Sequence, residues 1–215
     1  MKAIAPILLG LASACALQAC STQQDKDRQA FEAGLREYLA QKGELCLAKY
    51  DWPIDVSEAD AKVGTRDAVQ MPVLEQLGLV TASDATATRE SADSTETVPV
   101  KRYALTVEGQ KYFVKKPMRH PGPDGRAIVR EGDFCAASLS LDKLVAWEPP
   151  ARSGDHAETV VTFTYKVDAA PWARDERAQR VFPMVARIIG GAGTLQLKEA
   201  FVQTEKGWRA KDLAG

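Results

Sequence analysis

Cysteines at positions 15, 20, 46 and 135 and histidines at 120 and 156 are the residues whose chemistry needs deciding first. A thiol can be a nucleophile, a metal ligand or half of a disulfide. Metal-site spacings are missing, because the chain has no Cys-x-x-Cys and no His-Glu-x-x-His. Both histidines stand in polar, loop-like sequence and read as solvated. Ser140-Leu141-Asp142-Lys143 has the Ser-x-x-Lys spacing in which a lysine one helical turn away can take a serine's proton. Its companion Ser-x-Asn and Lys-Thr-Gly elements are missing, and residues 139–147 alternate like a strand. Gly190-Gly191-Ala192-Gly193-Thr194 lacks the Gly-Lys-Thr ending of a phosphate loop and follows a helix, so it reads as a turn. No catalytic residue is assigned, and neither a metal nor a cofactor is expected.

The N-terminus supplies an address. Lys2 precedes an apolar run, Ala3 to Ala12, with Ile4, Ile7, Leu8, Leu9 and Leu11, and small residues lead to Cys20. A charged start, a short apolar core and a small-residue exit describe a secretory signal. Leu17-Gln18-Ala19-Cys20 resembles the lipobox of bacterial lipoproteins. The resemblance implies cleavage after Ala19, so that residues 1–19 are a signal peptide, and lipidation of the Cys20 thiol. Ser21 lacks the aspartate that marks inner-membrane retention, which implies an outer-membrane lipoprotein facing the periplasm. Ala12-Ser13-Ala14 offers an alternative small-x-small site, which would leave Cys15 and Cys20 as plain thiols. Two or three acyl chains would anchor the chain firmly, at about 0.8 kcal/mol for each buried CH₂.

Removing residues 1–19 takes one lysine and no acid from a chain of 28 basic and 29 acidic residues, leaving 196 residues at net charge −2. This is not the balance of a nucleic-acid binder. Under the lipoprotein reading only Cys46 and Cys135 keep free thiols, and an even pair in an oxidising compartment favours a disulfide. Its loop of 89 residues would stabilise by roughly 4–5 kcal/mol in the chain-entropy model. Two separate buried thiols are the alternative.

The elements that must position these groups follow from periodicity. Phe31, Leu35, Tyr38 and Leu39 share a helical face, behind a capping-box pattern at Ser21 to Gln24 and before a stop at Gly43. Pro72 suits the first turn of a short helix carrying Val73, Leu74 and Leu77. Leu74 to Val80, followed by Arg102-Tyr103-Ala104-Leu105-Thr106-Val107-Glu108-Gly109, resembles the second half of a winged-helix domain. No Arg or Lys lies between Val69 and Leu77 to meet phosphates, so DNA binding does not carry over. The wing tip, Thr81 to Thr97, reads as a mobile loop.

Lys115, Lys116, Arg119, His120 and Arg126 stand in a Pro- and Gly-rich loop, a candidate anion-binding loop for lipid phosphates or an acidic partner. Beyond Cys135, Val161, Phe163, Tyr165 and Val167 alternate with polar residues as a half-buried strand does. Pro171 to Ile189 reads as helix, broken at Pro183, with Ala178, Val181, Phe182, Val185 and Ile189 as its apolar stripe. Glu205-Lys206-Gly207 closes a hairpin ending at Trp208. The expected core holds Phe31, Leu35, Leu74, Leu77, Tyr103, Trp147, Phe163, Tyr165, Phe182, Leu197 and Trp208.

Together these predict an α+β fold, with a small helical and winged N-terminal part (residues 20–116) packed beside an antiparallel β-sheet with one helix (residues 117–215). Phe134-Cys135, Trp147 with Pro149, Thr159 to Tyr165, Pro171-Trp172-Ala173 and Gly207-Trp208 resemble uncharacterised bacterial envelope proteins, a resemblance that implies no activity. The expected role is a non-catalytic cell-envelope lipoprotein. It would meet the membrane through its anchor and an envelope protein through the sheet or the basic loop, and no nucleic acid. A periplasmic hydrolase of cell-wall or lipid substrate and a purely structural envelope protein are the alternatives.

Overall fold

The computed structural model describes residues 15–90, 95–121 and 124–214. Most of the expected signal peptide, residues 1–14, lies outside the described residues, as do the side chains of Cys20, Arg119 and His120. The first half of the chain forms α1 (Cys15–Lys42), β1 (Glu44–Cys46), β2 (Ile54–Ser57), α2 (Glu58–Val63), α3 (Arg66–Gln76), β3 (Val80–Glu90), β4 (Thr95–Leu105) and α4 (Val107–Gln110). Then come β5 (Phe113–Val114), β6 (Met118–Pro121), β7 (Ala127–Arg130), β8 (Asp133–Trp147), β9 (Ala151–Ser153) and β10 (His156–Ala169). The last elements are α5 (Glu176–Val181), α6 (Pro183–Gly190), β11 (Leu197–Thr204) and β12 (Gly207–Ala210). The fold is α+β: an N-terminal helix on a curled antiparallel sheet, plus a small three-stranded sheet. The larger sheet runs β1-β8-β10-β11-β12, with β5 on β8 and β9 on β10.

Two compact units divide the chain. The first contains the described residues up to 40, residues 141–164 and those from 196 onward. Here Phe31, Leu35 and Leu39, each four apart, form one buried stripe of α1. The Phe31 ring lies 5.4 Å from that of Trp147, 5.7 Å from Phe201 and 5.2 Å from Trp208. Burying such a ring stabilises by about 1.5–3 kcal/mol. From the sheet, Val161, Phe163 and Phe201 complete this core. Gly34 lets the helix come close: a Cβ there would stand 2.5 Å from the Phe201 ring and 3.2 Å from the Trp208 carbonyl oxygen.

The second unit contains residues 41–140 and 165–195. Its three-stranded sheet runs β2-β4-β3, and its core gathers Met71 and Leu74 of α3, Val56, Leu79, Val80, Tyr103, Phe134, Trp172, Phe182, Val185 and Ile189. Thr106 is the joint between the β3–β4 hairpin and α4. Its Oγ1 accepts the Gly109 N–H at 2.9 Å and donates to the Gly78 carbonyl at 2.8 Å. Gly109 is required by close approach, because a Cβ there would fall 1.9 Å from the Leu79 carbonyl oxygen. Cys46 stands opposite Cys135 in the β1–β8 pair, and a disulfide joins them.

Several expectations change. Residues 81–90 and 95–97 of the expected mobile wing are strand, in unbroken register from Val80↔Leu105 to Glu90↔Thr95; residues 91–94 lie outside the described residues. Cross-strand pairs such as Thr88↔Thr97 and Arg89↔Glu96 hold a ribbon without large apolar side chains. Helix α1 does not start at Ser21 but runs through it from Cys15, along residues with good helix propensity. Helix α3 begins at Arg66 behind the Thr65 cap, so Pro72 lies inside it rather than in its first turn. The basic segment contains the β6–β7 hairpin instead of being loop throughout. Of the expected core, Leu77, Trp147, Leu197 and Trp208 are half-buried, and the other seven are buried. Pro183 divides the helical stretch between α5 and α6, as its fixed φ and missing N–H require.

Gly109→Ala is expected to lower unfolding stability by about 1–3 kcal/mol in urea titration, the range for overpacking against backbone. Val107→Ala, at a side chain 80% exposed two residues away, should change it by less than about 0.5 kcal/mol.

Candidate functional site

In the first unit, a cross-strand row places Glu158, Val202 and Arg209 side by side on β10, β11 and β12. Alternation sends these three to the face opposite Thr159, Phe201 and Ala210. Glu205-Lys206 makes the two-residue turn before β12, and Gly207 enters the strand at φ 101°, a conformation that favours glycine. The turn is tied by Thr204 Oγ1, which donates to the Gly207 carbonyl at 2.9 Å. Beyond β12 a short 3-10 turn, Lys211–Leu213, carries Lys211 back over Glu158.

The result is an open cleft of about 1000 Å³. Val202, 8% exposed, lies at its base, and Trp208, Gln203 and His156 line it. Two ion pairs flank it. Lys211 Nζ meets both Glu158 oxygens at 3.0 and 2.9 Å, and Arg209 Nη2 meets Glu37 Oε1 of α1 at 2.8 Å. The Lys211 hydrogen bond holds the Glu158 carboxyl below its ordinary range. A carboxylate so held is a poor proton donor near neutrality.

Glu199 lies half-buried in the same unit, hydrogen-bonded to Tyr38. Burial pushes the Glu199 carboxyl up. Burial, together with the Glu199 charge, pushes the Tyr38 phenol up to about 12. A shallower groove of about 550 Å³ adjoins Trp147, where the Arg28 guanidinium sits 5.4 Å from the ring centroid.

The second unit holds a different charged cluster. The Asp133 carboxylate accepts the backbone N–H of Ala48 at 3.0 Å, of Lys49 at 2.6 Å and of Phe134 at 2.7 Å. Lys49 is only 2% exposed, and its ammonium donates to Asp67. Burial lowers its pKa, opposed by the Asp67 hydrogen bond.

Of the residues singled out in the sequence, Cys46 and Cys135 are brought together as a disulfide. Lys115 is exposed, Lys116 Nζ reaches the Gln41 carbonyl at 3.3 Å, and Arg126 pairs with Asp124 at 3.6 Å. Cys20 lies within α1. Ser140 and Lys143 sit on β8, where an offset of three puts them on opposite faces of the strand. His156 does not stand in isolated loop but opens β10 and lines the cleft. Glu37, Glu158, Arg209 and Lys211 were missed, because they come from separate stretches of chain and form no local motif. Among the described residues no group of three or more His, Cys, Asp or Glu is placed to hold a metal, and no helix is long and apolar enough to cross a membrane.

Asp133→Ala should cost about 3 kcal/mol or more of unfolding stability, since it strands the backbone N–H groups of Ala48 and Lys49, leaves that of Phe134 only its longer bond to the Lys49 carbonyl at 3.3 Å, and removes a charge beside Lys49. Tyr38 gives a pH test. Its folded pKa is raised, so the stability it contributes is full below pH 10 and is lost as pH rises towards about 12. Tyr38→Phe is expected to flatten the fall in unfolding midpoint across that window.

Comparison with protein-family models, curated proteins and solved structures gives no match for this chain.

Proposed function

We propose that the chain is a cell-envelope lipoprotein, cleaved after Ala19, anchored through lipidated Cys20 in the outer membrane facing the periplasm, and acting as a non-catalytic binding or scaffolding protein. The observation that carries this reading is the Cys46–Cys135 disulfide. Such bonds persist in oxidising, exported compartments and are rare in a reducing cytosol. It fits the address carried by Leu17-Gln18-Ala19-Cys20 and the apolar run before it. The membrane contact would be made by acyl chains, and the folded body would be left to meet an envelope partner.

The order α3, β3, β4 and the Thr106–Gly109 joint support the winged-helix resemblance over residues 74–109. We read this segment as scaffold rather than as a reader of nucleic acid. For the hydrolase alternative, two of the three acids lining the cleft, Glu37 and Glu158, are each bound to a cation, and this favours binding over proton transfer. The basic residues Lys115, Lys116, Arg119, His120 and Arg126 are retained as a secondary anion-binding surface.

The test is intact mass of the mature protein extracted from membranes. A first residue Cys20 carrying diacylglycerol mass is expected, and Cys20→Ser should abolish both the added mass and membrane retention. An unacylated N-terminus on the wild-type chain would overturn the anchor.

A further inference from the structure

We propose that the outer edge of β3 is a self-association site, at which two copies of the chain pair antiparallel about a two-fold axis at Thr86. This goes beyond the anchoring argued above and does not depend on it.

Strand β3 ends the three-stranded sheet, and among the described residues no strand pairs with its outer side. It runs for 11 residues with no Lys or Pro, and its pairing with β4 advances one residue at a time without a bulge. Lysines, prolines, bulges and short length are the usual means of keeping an edge from pairing, and β3 has none of them. Alternate residues of an edge strand turn their N–H and C=O outward. The Thr86 carbonyl accepts Arg102 Nη2 of β4 at 3.3 Å, so it points back into the sheet. The outward groups are therefore those of Ser83, Ala85, Ala87 and Arg89.

The ribbon is also incomplete as a sheet. Strand β2 pairs with β4 only from Val100 to Tyr103, so residues 86–90 and 95–99 form two strands alone. Two strands by themselves are marginal in water. A foreign peptide would add one strand there, whereas a second copy adds two and makes a four-stranded β4-β3-β3-β4 sheet. The edge is already braced for this. Arg89 Nη2 donates to Ser57 Oγ at 3.1 Å, and Arg102 grips Asp55 with bonds of 2.7 and 2.6 Å. Pairing then has little left to order.

The side chains fit the two-fold. Centred on Thr86, the pairing opposes Thr86 to itself, Ala85 to Ala87, Asp84 to Thr88 and Ser83 to Arg89. Threonine pairs across strands are favourable, and no two like charges stand opposite. A centre on Asp84 would oppose the two aspartates, and one on Ala87 would set Asp84 opposite Glu90. The small residues between Ser83 and Thr88 let the two edges close without a clash. About eight backbone hydrogen bonds form over residues 83–89. An edge of this length buries less than the roughly 800 Å² per partner of a standard interface, so the pairing is weak and reversible.

The test is sedimentation equilibrium of the full chain carrying Cys15→Ser and Cys20→Ser, so that neither acyl chains nor an N-terminal thiol can join two copies. A reversible dimer is expected, with Kd between about 10 μM and 1 mM. Thr86→Lys, at an exposed position, sets two ammonium groups face to face and should weaken it about tenfold or more. Ala87→Pro removes an outward amide from each edge and should do the same. The second measurement adds Thr86→Cys to the same chain under air. Opposed residues of a non-hydrogen-bonded pair lie about 4.5 Å apart at Cα, within disulfide reach. A linked dimer should form about tenfold faster than with Val107→Cys, whose position is 80% exposed and lies off this edge. A chain still monomeric at about 2 mM would overturn the proposal. So would trapping at Thr86→Cys no faster than at Val107→Cys, or a dimer that Thr86→Lys leaves unchanged. A monomer that instead binds an acetylated Thr-Val octapeptide, and loses it with Ala87→Pro, would give the edge to a foreign strand and sink self-pairing.

Discussion

The second unit is organised round one buried carboxylate. Asp133 opens β8, and its two oxygens accept three backbone N–H groups, two of them from the Ala48-Lys49 bend. Ala48 takes φ 55°, a left-handed conformation that a residue with a Cβ adopts at a cost of about 1–2 kcal/mol. The hydrogen bonds from Asp133 hold the bend in that shape. The bend directs Lys49 inward to Asp67, and the Lys49 carbonyl accepts the Trp52 indole N–H at 3.0 Å. Two residues beyond Asp133, Cys135 is bonded to Cys46. Covalent and ionic ties thus grip the same short stretch, and the Phe134 ring between them enters the core against Trp52 and Trp172.

In the first unit the organising contact is apolar. Phe31 touches Trp147, Phe201 and Trp208, so one side chain joins α1 to three strands. The cleft depends on that contact at one remove. Glu37 lies six residues after Phe31 on α1 and reaches Arg209 only because the helix is seated. The other wall is local to the sheet and its C-terminal turn, through Glu158 and Lys211. One wall therefore tracks the docking of the helix and the other does not.

What the sequence made legible was governed by short-range periodicity. Val161, Phe163 and Tyr165 alternate because one face of β10 is buried, and all three are buried in the structure. The split at Pro183 followed from the chemistry of the imide nitrogen, whereas Thr106 and Gly109 entered only through the winged-helix resemblance and the structure shows the bond that joins them. Where stability comes from pairing rather than burial, the pattern was silent. Residues 81–90 are small and polar, as a loop is, yet they form strand against 95–104. The Asp133 cluster was illegible for a related reason: its carboxylate serves backbone groups 84 and 85 residues away, and any amide would look alike in sequence. The cleft joins position 37 to positions 156–158 and 202–214, a proximity that composition cannot encode.

Gly34 has a consequence for behaviour in a crowd. A sheet normally ends in unpaired amides and carbonyls that invite a neighbouring molecule to continue the pleat. Here a single missing methyl lets the chain's own helix come down beside the Trp208 carbonyl of β12. A second molecule that approached this end of the sheet would meet the helix at Gly34 and Glu37 as well as the strand.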